Sequence, residues 1–133
     1  MIGIDTNVFV RFLVDDDNRS QHKAARQFMA ARSAEDPARI SMVVLAETIW
    51  LLRRRLRYTQ GKITLAMRQL LAASDLVFEE HDYLTALFNA DEAPEADIAD
   101  HLIAWSNQKA GCADTMTFDT QAASLVPGMK FLT

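Results

Sequence analysis

The chain has 133 residues, of which 18 are Asp or Glu and 14 Lys or Arg, for a formal charge of −4; half are hydrophobic and 24% are charged. This is the balance of one ordinary globular domain, long enough to bury roughly two thirds of its unfolded surface, and it excludes disordered, collagen-like and disulfide-stapled scaffolds. The lone Cys112 cannot close an internal disulfide, and no apolar run approaches the roughly 20 residues of a membrane span.

Met1 to Asp5 reads as a short buried strand, and Thr6-Asn7 opens a helix through Leu13 that Asp15-Asp16-Asp17-Asn18 breaks. Ala24, Phe28 and Ala31 fall at helical spacing, so Ser20 to Ser33 is predicted as a second helix ahead of the Ala34-Glu35-Asp36-Pro37 turn. Arg39 to Met42 reads as a strand. Val43 to Arg57 follows as a helix with an apolar stripe through Val44, Leu45, Ile49, Leu52 and Leu56, stopped by Gln60-Gly61. A helix over about 63–73, a strand at Leu76-Val77-Phe78 and a helix over 81–90 come next, until Glu92-Ala93-Pro94-Glu95 interrupts the chain. Ile98, Leu102 and Trp105 predict a helix from Asp97 to Ala110, and Gly111 suits its left-handed cap. Thr115 to Asp119 reads as a strand with the threonines and Asp119 on one face, and Met129 to Leu132 as the last strand.

Strands separated by helices predict an α/β fold in one domain, residues 1–133, with a mainly parallel central sheet of about five strands flanked by helices on both faces. Such sheets place ligands beyond the carboxyl ends of their strands, where Asp5 and Asp119 fall. Met1 runs straight into Ile2-Gly3-Ile4 without a basic or long apolar leader, so a cytoplasmic protein is expected. Charge is uneven. Between Gln69 and Gln108 stand nine acids and no Lys or Arg, which leaves 14 cations against nine acids elsewhere. Either section can be a solvated helix face, and the net charge alone does not point to nucleic acid.

The acids have two readings each. Asp5 and Asp119 either cap the turn into the next helix or present a carboxylate at a site. Glu47, surrounded by Met42-Val43-Val44-Leu45-Ala46 and Thr48-Ile49-Trp50, either snorkels from the edge of the stripe or points into a partly enclosed site, where it needs a partner or a metal. Asp97 and Asp100 lie one helical turn apart; Asp97 suits the cap and Asp100 the ligand. Were the four acids to converge, each pair at about 5 Å would repel by about 3 kcal/mol at an effective dielectric of roughly 20, so the cluster would need a cation or a proton. Oxygen-only ligands favour Mg²⁺ or Mn²⁺, ions that coordinate phosphate oxygens and activate water.

Ile4-Asp5-Thr6-Asn7, Leu45-Ala46-Glu47, Asp97-Ile98-Ala99-Asp100-His101-Leu102-Ile103 and Thr117-Phe118-Asp119, in that order, resemble the motifs of the PIN-domain ribonucleases, and more narrowly of the VapC toxins of toxin–antitoxin pairs. The resemblance runs from Met1 to the final strand. It implies an α/β/α fold and an acidic pocket for Mg²⁺ or Mn²⁺, with Asp5 and Asp100 as direct ligands, Glu47 as ligand or water-orienting acid, and Asp119 as fourth carboxylate. Thr6, Asn7 and Thr117 match supporting polar positions, and Asp97 lies close enough to Asp100 to contend for its place. His101 departs from the small residue common there and is assigned no catalytic role. The resemblance further implies hydrolysis of RNA to 5′-phosphate and 3′-hydroxyl ends, a homodimer, and a cognate VapB-like antitoxin whose C-terminal segment occupies the groove.

RNA must also be held. Arg53, Arg54, Arg55 and Arg57 begin about 9 Å along the helix from Glu47 and either complement the helix dipole or contact RNA or antitoxin; Arg11, Arg19 and Arg26 are lesser candidates. Trp50 and Trp105 read as core or dimer packing rather than base-stacking residues, His22, His81 and Cys112 as structural or surface residues, and the four scattered glycines form no phosphate loop. Two other classes fit the sequence less well. A phospho-receiver or phosphatase lacks support because Asp5-Thr6-Asn7 has no second acid. A catalytically silent PIN-like module that binds RNA or protein is opposed by the complete set of four acids.

Overall fold

The structure is a computed structural model and describes residues 1–15, 18–92 and 94–133. Of the predicted breakers, Asp16, Asp17 and Ala93 lie outside these. The described residues form two compact units, 1–90 and 91–133.

In the first unit, strands β1 (Ile2–Gly3), β2 (Ala38–Ile40) and β3 (Leu76–Phe78) pair in parallel in that order, with Gly3, Arg39 and Val77 in register. Helices α1 (Thr6–Leu13) and α2 (Arg19–Ala30) connect β1 to β2, α3 (Met42–Arg54) and α4 (Gln60–Ala72) connect β2 to β3, and α5 (His81–Phe88) follows. The first four starts have a local cause. Asp5, Asn18, Ser41 and Thr59 accept hydrogen bonds from the first-turn N–H groups of α1 to α4, satisfying donors that the helices leave without partners. At the other end of α5, Arg68 of α4 donates from Nε to the Phe88 carbonyl and from Nη2 to the Ala90 carbonyl at 3.1 Å.

Phe9, Ile40, Leu45, Ile49, Leu84 and Phe88 are fully buried, each such side chain contributing about 1.5–3 kcal/mol. Phe9 meets Phe78 edge to face, ring centroids 6.3 Å apart. Along β2, Ala38 and Ile40 are buried while Arg39 between them is only partly so, and in β3 Val77 is exposed between two buried residues. Burial thus alternates along these strands instead of running through them, as it would in a sheet covered on both faces.

In the second unit, α6 (Ile98–Lys109) leads to β4 (Thr115–Thr117), α7 (Thr120–Leu125) and β5 (Met129–Phe131), with β4 and β5 parallel. Ala104, Ala122, Val126 and Met129 pack together with Ala96. Gly111, at φ +98°, ends α6 as expected: its N–H donates to Gln108 and that of Cys112 to Asn107, both at 3.0 Å.

Several expectations need correction. Each strand pairing is parallel, but the five strands form a three-stranded and a two-stranded sheet among the described residues, not one sheet of five. At two or three residues each, they offer few backbone groups for further ladders. β1 is shorter than predicted and exposed, and Met42 begins α3 instead of ending β2. Gln60-Gly61 does not stop α3. The chain turns at Arg57 (φ 58°), the Tyr58 N–H donates to the Leu52 carbonyl at 2.8 Å, and Gly61 lies inside α4 behind the Thr59 cap. Leu56, past the end of α3, is exposed.

Candidate active site

Asp5 and Asp119 occupy equivalent places in their units: each lies two residues beyond the last residue of a parallel strand and caps the helix that follows. Oδ1 of Asp5 accepts the Val8 N–H at 3.0 Å, and Oδ1 of Asp119 accepts those of Gln121 and Ala122 at 2.9 and 3.0 Å. Both predicted readings are compatible, because capping through one oxygen leaves a carboxylate its second. Both side chains are anchored by the backbone at a strand's carboxyl end, where parallel folds gather ligands.

Their supports differ. Thr6, next to Asp5 in the chain, is buried, whereas Asn7 is exposed. Oγ1 of Thr117 accepts the Asp119 N–H at 3.0 Å, which fixes the approach to the carboxylate. On α6, Asp97 is the N-cap, accepting from the Ala99 N–H at 3.0 Å, and Asp100 stands in the first turn. Burial pushes the His101 imidazole below its usual pKa, against the pull of the Asp97 carboxylate.

Glu47 is not enclosed as expected. It is exposed, on the same side of α3 as Val43 and Trp50, four residues before it and three after. The stripe that is buried runs through Leu45, Thr48, Ile49 and Leu52, and Glu47 falls outside it. Trp50, 51% exposed, is likewise no core residue. Arg53, Arg54, Arg55 and Arg57 are all exposed at the end of this helix, and Arg53 donates to the Tyr58 carbonyl at 3.3 Å. Two features escaped the sequence reading. Arg39 pairs with Glu79 at 3.3 Å, and a cavity opens beside Asp5 and Asn7. An Arg inside an otherwise apolar strand was the available signal for the first; the second had none.

The candidate donors are carboxylate oxygens, the chemistry of a hard-cation site. Among the described residues, no three His, Cys, Asp or Glu side chains gather into a group that could hold a metal ion. No helix among the described residues is long and apolar enough to cross a membrane.

Parallel strands carrying capped aspartates at their carboxyl ends, with helices between them, are features of α/β proteins that seat ligands beyond the ends of their strands. The PIN domain model matches residues 2–126, nearly the whole chain, and the chain belongs to that family. PIN domains are generally nucleases, hydrolases that typically use divalent metal ions. No curated protein matches the chain.

Proposed function

We propose that the protein is a Mg²⁺- or Mn²⁺-dependent endoribonuclease, a single catalytic domain acting as the toxin of a VapBC-type pair. What carries the reading is the twofold placement of Asp5 and Asp119, each just past a parallel strand in a PIN chain. Asp5 and Asp100 are assigned as ligands, with Asp119 and Glu47 binding directly or through water. Thr6, Asn7, Thr117 and Asp97 support them.

When bound, the ion would polarise the scissile phosphate and acidify the attacking water. The protein's own part is positional. Backbone donors hold Asp5 and Asp119 at fixed helix starts, and Thr117 holds the main chain of Asp119. The acids alone repel phosphate, and Arg53, Arg54, Arg55 and Arg57 supply the compensating positive field for RNA or for an antitoxin segment. The exposed Val43 and Trp50 suit a subunit contact, consistent with a homodimer. A cytoplasmic location follows from this reading.

The test pairs crystals soaked in Mn²⁺ with cleavage of RNA. An anomalous peak at Asp5 and Asp100, with cleavage lost on chelation and in Asp5→Asn, is the expected result. RNA binding without metal-dependent cleavage would establish the silent module instead. For the toxin role, expression should arrest growth only when Asp5 is intact.

A further inference from the structure

The first unit carries a cavity of about 550 Å³ for which the carboxylates and the arginine cluster do not account. Its volume is in the range of small-molecule sites. Strand β1 and two helices form its walls: the cap Asp5 with Asn7 and Arg11 of α1, the latter two one turn apart, and Gln21, Ala24 and Phe28 of α2, which share one side of that helix.

The polar groups are specific in what they offer. Nε of Arg11 donates to Oε1 of Gln21, which ties the two helices and engages the amide oxygen. What Gln21 then presents is chiefly its Nε2 donors, while Asn7 brings both a donor and an acceptor. Arg11 adds positive charge to a lining that also includes Asp5. Phe28 supplies an aromatic surface held in place by the Arg32 guanidinium, 4.5 Å over its ring. Two amides, an aromatic ring with small apolar residues, and a guanidinium line one cavity with a candidate metal ligand, and they match the parts of a nucleotide: base edge, base face and phosphate.

We infer that this cavity is a nucleotide subsite, seating one unstacked base of the RNA strand next to the phosphate handled at Asp5, and that Gln21 selects the base. The inference rests on the nuclease reading but is tested apart from it. A protein segment is the competing occupant; side-chain amides beside a guanidinium favour the base.

The experiment titrates the metal-free full-length protein with AMP, GMP, CMP and UMP, and then maps cut sites in a randomised RNA. One nucleotide should bind about tenfold more tightly than the weakest of the four, the effect of one well-placed hydrogen bond. Gln21→Glu keeps an oxygen for Arg11 but has no amide donor, so it should erase that preference and the matching preference beside the cut. Ala24→Leu, at an exposed position, should weaken all four nucleotides by filling the cavity. Gln21→Glu acting only as a helix tie would leave the preference intact, and that result would overturn the assignment. So would four nucleotides binding no better than inorganic phosphate, or a protein partner that is sensitive to Ala24→Leu while nucleotides are not. Base-selective binding without cleavage would sustain the subsite and sink the nuclease; cleavage indifferent to every flanking base would do the reverse.

Discussion

Arg39 of β2 donates from Nη2 to Oε2 of Glu79, 3.3 Å away, and the same oxygen accepts the N–H of Met42, the first residue of α3, at 3.4 Å. The Glu79 N–H in turn donates to the Ile40 carbonyl at 3.0 Å. One residue therefore extends the β2–β3 ladder and serves a first-turn donor of α3 that Ser41, occupied with Val44, does not reach. A carboxylate there also meets the positive end of the helix dipole.

This division of labour predicts an unequal pair of mutants. Both side chains are more than a third exposed, so the ion pair itself contributes little. Glu79→Ala should cost about 1 kcal/mol in urea unfolding, Glu79→Gln less, and Arg39→Ala the least. If Arg39→Ala proved as costly as Glu79→Ala, the ion pair and not the helix start would be the source of stability.

The capping of α1 by Asp5 and the catalytic role proposed for it can be separated, because Asn is as good an N-cap as Asp but carries no charge. Asp5→Asn should leave the unfolding midpoint nearly unchanged, whereas Asp5→Ala should cost about 1 kcal/mol. Both should lower RNA cleavage by at least about a hundredfold, beyond what outer residues of a metal site contribute. Glu47→Gln, on an exposed face and capping nothing, should cost no stability and still reduce cleavage. Full activity in Asp5→Asn would assign that residue to the helix alone.

Tyr83 sets a limit at alkaline pH. Burial raises its phenol to about 12 from an ordinary 10. The folded protein keeps this proton after the unfolded chain has lost it, so stability present below pH 10 should drain away as pH rises from 10 towards 12. Urea midpoints across that window should fall in the native protein and fall less in Tyr83→Phe. The tyrosinate absorbance that disappears in the variant should be the late-rising component, and parallel pH profiles would show that other groups govern the alkaline limit.

Local signals were readable wherever neighbours in sequence carry the physics. The bounds of α1 and β3 follow from a capping acid before an amphipathic run and from three β-prone residues between polar ones. The end of α6 follows from a glycine free to take positive φ. The acids at the carboxyl ends of β1 and β4 were legible for the same reason, since a strand, a polar turn and a helix lie consecutively in the chain.

Contacts between distant residues were not legible. Arg39 and Glu79 are 40 residues apart, and only the pairing of β2 with β3 makes them partners. Glu47 and Trp50 read as inward-facing because their neighbours are apolar, yet the direction of the buried stripe is set by what α3 packs against, and both side chains fall outside it. The division of five strands into two sheets and the cavity lined by β1, α1 and α2 likewise depend on how elements meet. The sequence by itself determined the order of elements, their caps and the candidate acids, because these are set within a few residues by backbone sterics and local hydrogen bonds. Tertiary structure alone decided register, exposure and the shape of the space beside Asp5, because packing depends on surfaces brought together from far along the chain.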